Sequence, residues 1–557
     1  MPVISGKRAF LELLKQEGVE LIFGNPGTTE LPLMDALAVE TGLRYVVALQ
    51  EAAVMAMADG YAQASGQLAV VNVHVAPGLG NALGMLYDAQ KAGAPILVTA
   101  GQHDQSFNFS EPILWADLPT LARPLVKWSA EVRRLEDLPR AVHRAVKTAL
   151  APPTGPVFLS LPADVLNAEA SIALGAPTRV APGLRGDRAA LDAAAALLAK
   201  AERPVIIAGD AVAQRRAHGE LIALAELLGA PVYSEGIANT ASFPTSHPLF
   251  RGAMVRLAPA IRAALEPFDL LLSVGGDLFT LSLPSDVDPM PEALTIVHLD
   301  TDPWELGKNY AATAILGDPK ATLPELTQLL DERLSAAQRA EANARREAMK
   351  LTIAGEREAL HAKARAEAAK TPIRPLALMQ AIAAALPRDA VVVEEAISSA
   401  PGLRQMLASD DPQSFFGLRG GGIGWGLPAA IGVKLALPHR PVVALIGDGS
   451  AMYTCQALWT AAHDRVNVVF VILNNRSYRI LKQRANAMKG FAAQTDRYVG
   501  MDMTDPAIDF VGLSRSLGLN ATRASTLAQV VEALNAALAA DAATLIEVEL
   551  DRSFAPV

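Results

Sequence analysis

Two short stretches near the end of the chain carry the residues most able to do chemistry. In PVVALIGDGSAMYT, residues 441–454, a charge-free β-branched run stops at Gly447-Asp448-Gly449, and in NVVFVIL a second such run stops at Asn474-Asn475. A carboxylate and an amide carbonyl are hard oxygen donors suited to Mg²⁺, with Ca²⁺ as a substitute. They leave positions that phosphate oxygens and water would fill. The glycines let the backbone approach a diphosphate, and the helix that follows offers its N-terminal amides. Taken alone, the GDG reads more readily as a helix cap and the asparagines as a turn. The pattern between them changes that reading. Met452, Cys455, Leu458, Trp459 and Ala462 recur at helical spacing, so strand, helix and strand form a right-handed crossover unit. Asp448 and Asn475 then emerge on one carboxyl edge, where open α/β sheets bind ligands.

The rest of the chain supplies similar elements. In residues 1–185, RYVVAL leads into QEAAVMAMADGYAQA, where Val54, Met55, Ala58, Tyr61 and Ala62 keep helical spacing. LAVVNVHV follows, then APGLG as a loop, a further helix, and the strand PILVTAG. A Pro/Gly/Ala-rich linker near 171–185 precedes a second α/β segment, 186–335, with RPVIIAGD, DLLLSVGGD and TIVHLDTDP as buried strands. An Ala/Arg/Glu-rich helical connector, 336–371, leads to a third α/β segment, 372–557. The expectation is three consecutive α/β domains, each a parallel sheet flanked by helices.

With 557 residues, 51% of them hydrophobic, the chain is too long for one core. A net charge of −9 without a basic cluster argues against a nucleic-acid surface. A single cysteine, Cys455, favours a reducing compartment. MPVISGKRAFLELLKQ lacks the pattern of a secretory leader, and no apolar run is long and clean enough to span a bilayer. A cytoplasmic protein without membrane contact is expected.

GDGS and NN at this spacing resemble the signature of thiamine-diphosphate enzymes. FGNPGTTELP, ALQEAAVMAMADGYAQASG, GPVFLSLPADV and RGGGIGWGLPAAIGVKLA extend the likeness over the whole chain. They are similar to the group that holds benzoylformate decarboxylase and the acetolactate-synthase-like proteins. The resemblance implies a pyrimidine-binding, a central and a diphosphate-binding domain in that order. It implies Mg²⁺ on Asp448, Asn475 and the backbone carbonyl of Ser477. Thiamine diphosphate would lie among Ser398, Ser399, Gly421, Ile423, Gly447, Gly449, Ser450 and Tyr478, with Glu51 against its aminopyrimidine. In such enzymes the first segment of one subunit faces the last segment of another, so a homotetramer with intersubunit sites is expected. The central segment, with Asp300 and Asp302, houses FAD in some relatives; none is expected here.

For the substrate, a small 2-oxo acid, the same resemblance puts Thr28 on its carboxylate and gives His74 a proton-transfer role. Ser282, or Leu281, stands where benzoylformate decarboxylase has a second histidine. Ile480 and Arg484 replace small and aromatic pocket residues, and His103 is a candidate for the missing acid. A non-oxidative decarboxylase making an aldehyde and CO₂ is implied. A carboligase or 2-hydroxyacyl lyase is the nearest alternative, and a chemically silent binding module or a flavin oxidase are more distant ones.

Overall fold

The structure, a computed structural model, describes residues 3–236, 239–281 and 283–554. Ser282 therefore lies outside the described residues. The chain divides into two compact units. One holds the segment up to Val180, Val392–Ser399 and the segment from Leu418 onward; the other holds Ala181–Val391 and Ala400–Gly417.

The first unit contains two parallel sheets. In the N-terminal sheet the strands run Arg44–Val47, Leu21–Gly24, Ala69–Val73, Ile96–Gln102, Val157–Pro162 and Ser129–Glu131 across the layer, every pairing parallel. Its strands are almost wholly apolar because helices cover both faces. Phe10, Leu14, Ile22, Val70, Leu97, Val146 and Leu159 pack together on one side. In the C-terminal sheet Val442–Gly447, Val469–Asn474, Thr544–Glu549 and Asn520–Ala524 pair in parallel in that order. Val391–Glu395 lies on the outer side of Val442–Gly447.

The helices Glu51–Ser65 and Gly426–Ala436 join the two sheets of this unit. Their backbones touch: a Cβ at Gly60 would stand 2.3 Å from the Ala429 carbonyl, and one at Gly432 would stand 1.9 Å from that of Met57. Only glycine permits such an approach.

Two local expectations differ from the structure. APGLG is not a loop: the helix Val75–Ala92 includes it, with Pro77 in the first turn, where a missing N–H costs nothing. The segment after Asp448 is not one helix either. Asp448–Ala451 and Ala457–His463 are separate helices, because the Thr454 hydroxyl donates to the Gly424 carbonyl at 2.6 Å and draws the intervening turn aside.

The second unit has its own parallel sheet, ordered Phe250–Ala253, Val232–Ser234, Pro204–Ala208, Leu270–Val274, Thr295–Asp300 and Thr313–Leu316. The helix Ala336–Glu367 belongs to it and is mostly exposed; Arg357 nonetheless donates to the carbonyls of Thr245, His247 and Phe250. No helix among the described residues is long and apolar enough to cross a membrane.

Candidate active site

Gly447 and Leu473 are register partners, so Asp448 and Asn475 leave neighbouring strands at the same edge. Asp448 is 3% exposed, and its Oδ1 accepts the Gly449 N–H at 2.9 Å. Burial pushes its carboxyl up to about 6, opposed by the backbone amides of Gly449, Arg476 and Ser477 and by the Arg479 charge. Oδ2 is buried without a hydrogen-bond partner. Asn475 is buried beside it; its Oδ1 accepts from the Ser477 N–H at 3.1 Å and hydroxyl at 2.8 Å, and its Nδ2 donates to Ser399 Oγ at 3.4 Å. Ser398 is half-buried on the same turn. Gly449 lies against the Tyr478 ring, where a Cβ would come within 2.6 Å.

A buried carboxylate oxygen without a partner is costly, and a divalent cation would satisfy it. Among the described residues no three His, Cys, Asp or Glu side chains gather to hold a metal. One carboxylate with amide and backbone oxygens is too small a set for Mg²⁺ alone. It fits an ion that brings diphosphate oxygens and water with it.

A second polar cluster forms at the carboxyl edge of the N-terminal sheet. Glu51 opens the helix Glu51–Ser65 but does not cap it: the Gln50 side chain accepts from the Ala52 and Ala53 amides. The Glu51 carboxylate is instead held by Asn25 Nδ2 at 3.1 Å and Asn81 Nδ2 at 3.0 Å, and is 7% exposed. His74 ends the strand Ala69–Val73 and precedes the helix Val75–Ala92. Its Nδ1 stands 2.8 Å from Glu30 Oε2 and 3.0 Å from the Thr29 hydroxyl. Glu30 is fully buried and also accepts the Gly27 and Gly101 amides at 2.9 and 2.8 Å. The carboxylate at Nδ1 favours the tautomer that carries the proton there, which leaves Nε2 as the ring's other proton-accepting nitrogen. The His74 ring lies on Gly27, where a Cβ would meet it at 2.2 Å, and Thr28 stands exposed next to that contact.

His103 commits Nε2 to the Ile113 carbonyl at 2.9 Å, which ties down a loop. Ile480 and Arg484 sit one turn apart, half-buried, on the helix Arg479–Ala487. Gly421 is exposed with φ +87°, and Ile423 is half-buried beside it.

Sequence reasoning missed Asn25, Glu30 and Asn81, and with them Asp88 and Glu395, whose carboxylates accept the Gly422 and Gly424 amides of the glycine run. Asn25 and Glu30 lie inside FGNPGTTELP, and a buried acid three residues past a Pro-Gly turn could have flagged Glu30. Asn81 interrupts the mostly apolar stretch from Val75 to Tyr87 and Asp88 ends it, and that contrast is the signal that could have marked them.

The sequence matches three domains of one family: Thiamine pyrophosphate enzyme, N-terminal TPP binding domain, over residues 4–109, central domain over 191–326, and C-terminal TPP binding domain over 397–548. It is 36% identical to a benzoylformate decarboxylase of Pseudomonas aeruginosa, over 97% of this chain and 98% of that one. It is 29% identical to a probable acetolactate synthase large subunit of Methanocaldococcus jannaschii, over 98% of this chain and 92% of that one. Among solved structures, the thiamine diphosphate-dependent 4-hydroxybenzoylformate decarboxylase of Rhodococcus jostii RHA1 superposes with a TM-score of 0.86 at 32% identity, covering 99% of this chain and all of that one. The chain belongs to the thiamine pyrophosphate enzymes.

Proposed function

We propose that the protein is a thiamine-diphosphate- and Mg²⁺-dependent decarboxylase that converts a 2-oxo acid, benzoylformate or a close analogue, to an aldehyde and CO₂ without oxidation. The cofactor supplies the nucleophilic carbon and the electron sink when bound. Asp448, Asn475 and the Ser477 carbonyl would hold the Mg²⁺ and, with it, the diphosphate. Gly447, Gly449, Ser450, Ser398, Ser399 and Tyr478 would surround that tail, while Gly421 and Ile423 would wall the aminopyrimidine. Glu51, held by two asparagines and free of any capping duty, would be the residue that shares a proton with the aminopyrimidine. Thr28 takes the substrate carboxylate, and Ile480 and Arg484 shape the pocket.

The observation that carries the decarboxylase reading is the Glu30–His74 pair. A buried carboxylate on Nδ1 fixes the ring and its tautomer, leaving Nε2 to move a proton. Release of an aldehyde needs a proton delivered to the former keto carbon, whereas ligation delivers it to the oxygen of the second carbonyl. The Glu51 and Asp448 clusters draw their hydrogen bonds from opposite ends of the chain. In this reading the two clusters meet across subunits of a homotetramer, and a lone subunit is inactive. The reading takes no FAD, so a yellow purified protein would count against it.

The likeness to acetolactate synthase favours a second reading, a carboligase or 2-hydroxyacyl lyase. Incubation with benzoylformate and, separately, pyruvate, in the presence of cofactor and Mg²⁺, separates the two. Benzaldehyde and CO₂ with no ligated product support the decarboxylase; an acyloin from pyruvate supports the alternative.

A further inference from the structure

The loop Gly420–Gly426 gives its polar hydrogens to three carboxylates. Gly422 N–H donates to Asp88 Oδ1 at 3.0 Å, Trp425 Nε1–H to Asp59 Oδ2 at 2.7 Å, and Gly424 N–H to Glu395 Oε1 at 2.6 Å. Gly426 N–H donates to the other Glu395 oxygen. All three acids are 2% exposed or less.

Asp88 differs from the other two in where it acts. It lies flat under the glycine run: a Cβ at Gly420 would stand 2.1 Å from its Oδ1, and one at Gly422 would stand 2.6 Å from its Oδ2. A Cβ on Gly421, between them, meets nothing within 4 Å. One face of the run is therefore pressed on a carboxyl group and the other opens to space.

A trans peptide places its C=O and N–H on opposite sides. The Gly422 N–H and the Gly421 C=O belong to one such plane, so anchoring the N–H on Asp88 turns the carbonyl toward the open face. Three successive glycines have more backbone freedom to lose than any other tripeptide, and an anchor removes that loss from the binding step. We propose that Asp88 is a positioning residue for the cofactor, fixing the Gly421–Gly422 peptide so that the Gly421 carbonyl is aimed at the aminopyrimidine before binding. This rests on the reading of Gly421 and Ile423 as the cofactor wall. Burial, reinforced by Asp59 and Glu395, pushes Asp88 up to about 8. The group is thus carried as the neutral acid at neutral pH, and asparagine imitates it closely.

The test compares Asp88→Ala and Asp88→Asn in the full chain, with Asp88→Ser, too short to reach the loop, read beside the alanine variant. Hydrogen exchange of residues 418–426 is followed in the cofactor-free protein, and thiamine diphosphate affinity is measured calorimetrically with Mg²⁺. Loss of the acceptor should speed exchange in the loop and weaken affinity about tenfold or more, while Asp88→Asn stays within about threefold of the parent. Unchanged exchange and affinity in Asp88→Ala and Asp88→Ser would overturn the proposal, provided Ile423→Ala weakens cofactor binding. If Ile423→Ala binds the cofactor as the parent does, the cofactor-wall reading itself is overturned, and the role of Asp88 with it.

Discussion

His74 Nδ1 stands 2.8 Å from Oε2 of Glu30, a carboxylate shut off from water and held by two backbone amides. The amides come from Gly27 and Gly101, on different elements, so the carboxylate is fixed before the imidazole meets it. Glu30→Gln keeps the shape but can present an N–H to Nδ1, which disfavours the working tautomer. Turnover should fall by about 10²–10⁴-fold, with thiamine diphosphate affinity retained. Parent-like turnover in Glu30→Gln would remove His74 from proton transfer.

The orphaned Asp448 Oδ2 predicts opposite effects with and without ligands. Without them, Asp448→Asn relieves a buried, unsatisfied carboxylate and should melt at or above the parent's temperature. With thiamine diphosphate and Mg²⁺, the parent should gain stability by mass action and the variant should not. Differential scanning calorimetry at several cofactor concentrations, with and without EDTA, checks both halves. A ligand-induced rise of equal size in both proteins would show that Asp448 holds no metal.

Glu51→Gln should leave the protein folded and able to bind the cofactor, since Gln50 and not Glu51 caps the helix. Turnover should fall by about 10²-fold or more if this carboxyl shares the aminopyrimidine proton. Steady-state kinetics beside a calorimetric binding isotherm separates the two effects, and a variant that turns over normally would remove Glu51 from the reaction.

The legible parts of this molecule are those written in adjacent residues. Asp448 and Asn475 were readable because each ends an apolar strand, and consecutive parallel strands place their tips together. The three-layer domains were readable for the same reason. Glu30 and His74 lie on different elements, and Asp88 is 334 residues from the amide it holds, so no local pattern links either pair. The helix break at Met452–Gln456 was hidden likewise. Its cause, the Thr454 bond to Gly424, joins the segment to a distant loop while the local spacing still reads as helix. Sequence shows what an element can offer at its end, and only the packing shows which distant group receives it.

The crossing of Glu51–Ser65 and Gly426–Ala436 is another contact of that kind. A Cβ at Gly432 would stand 1.9 Å from the Met57 carbonyl, an atom of a helix backbone that cannot swing aside. Gly432→Val should cost about 3 kcal/mol or more. Because the Met57 helix also carries Glu51, the variant should lose turnover before it loses secondary structure. Denaturant melts beside kinetics check this, and unaltered stability would show that the two helices separate freely.

Asp59, Glu395 and Asp88 are pushed up to about 6, 7 and 8, in each case chiefly by burial. An unfolded chain releases these protons near pH 4. Between that value and the folded one, the folded state binds more protons than the unfolded state, so stability falls as pH rises. The contribution is fully present below about pH 4 and is lost progressively toward pH 8. Asp88→Asn cannot ionise, so it should flatten this slope, and its melting temperature relative to the parent should climb from pH 5 to pH 8.5. The gain at the alkaline end should be on the order of a few kcal/mol. Melting curves of the cofactor-free proteins across that range decide the matter. Parallel pH slopes would mean that Asp88 enters the folded state already ionised, with a compensating cation close by.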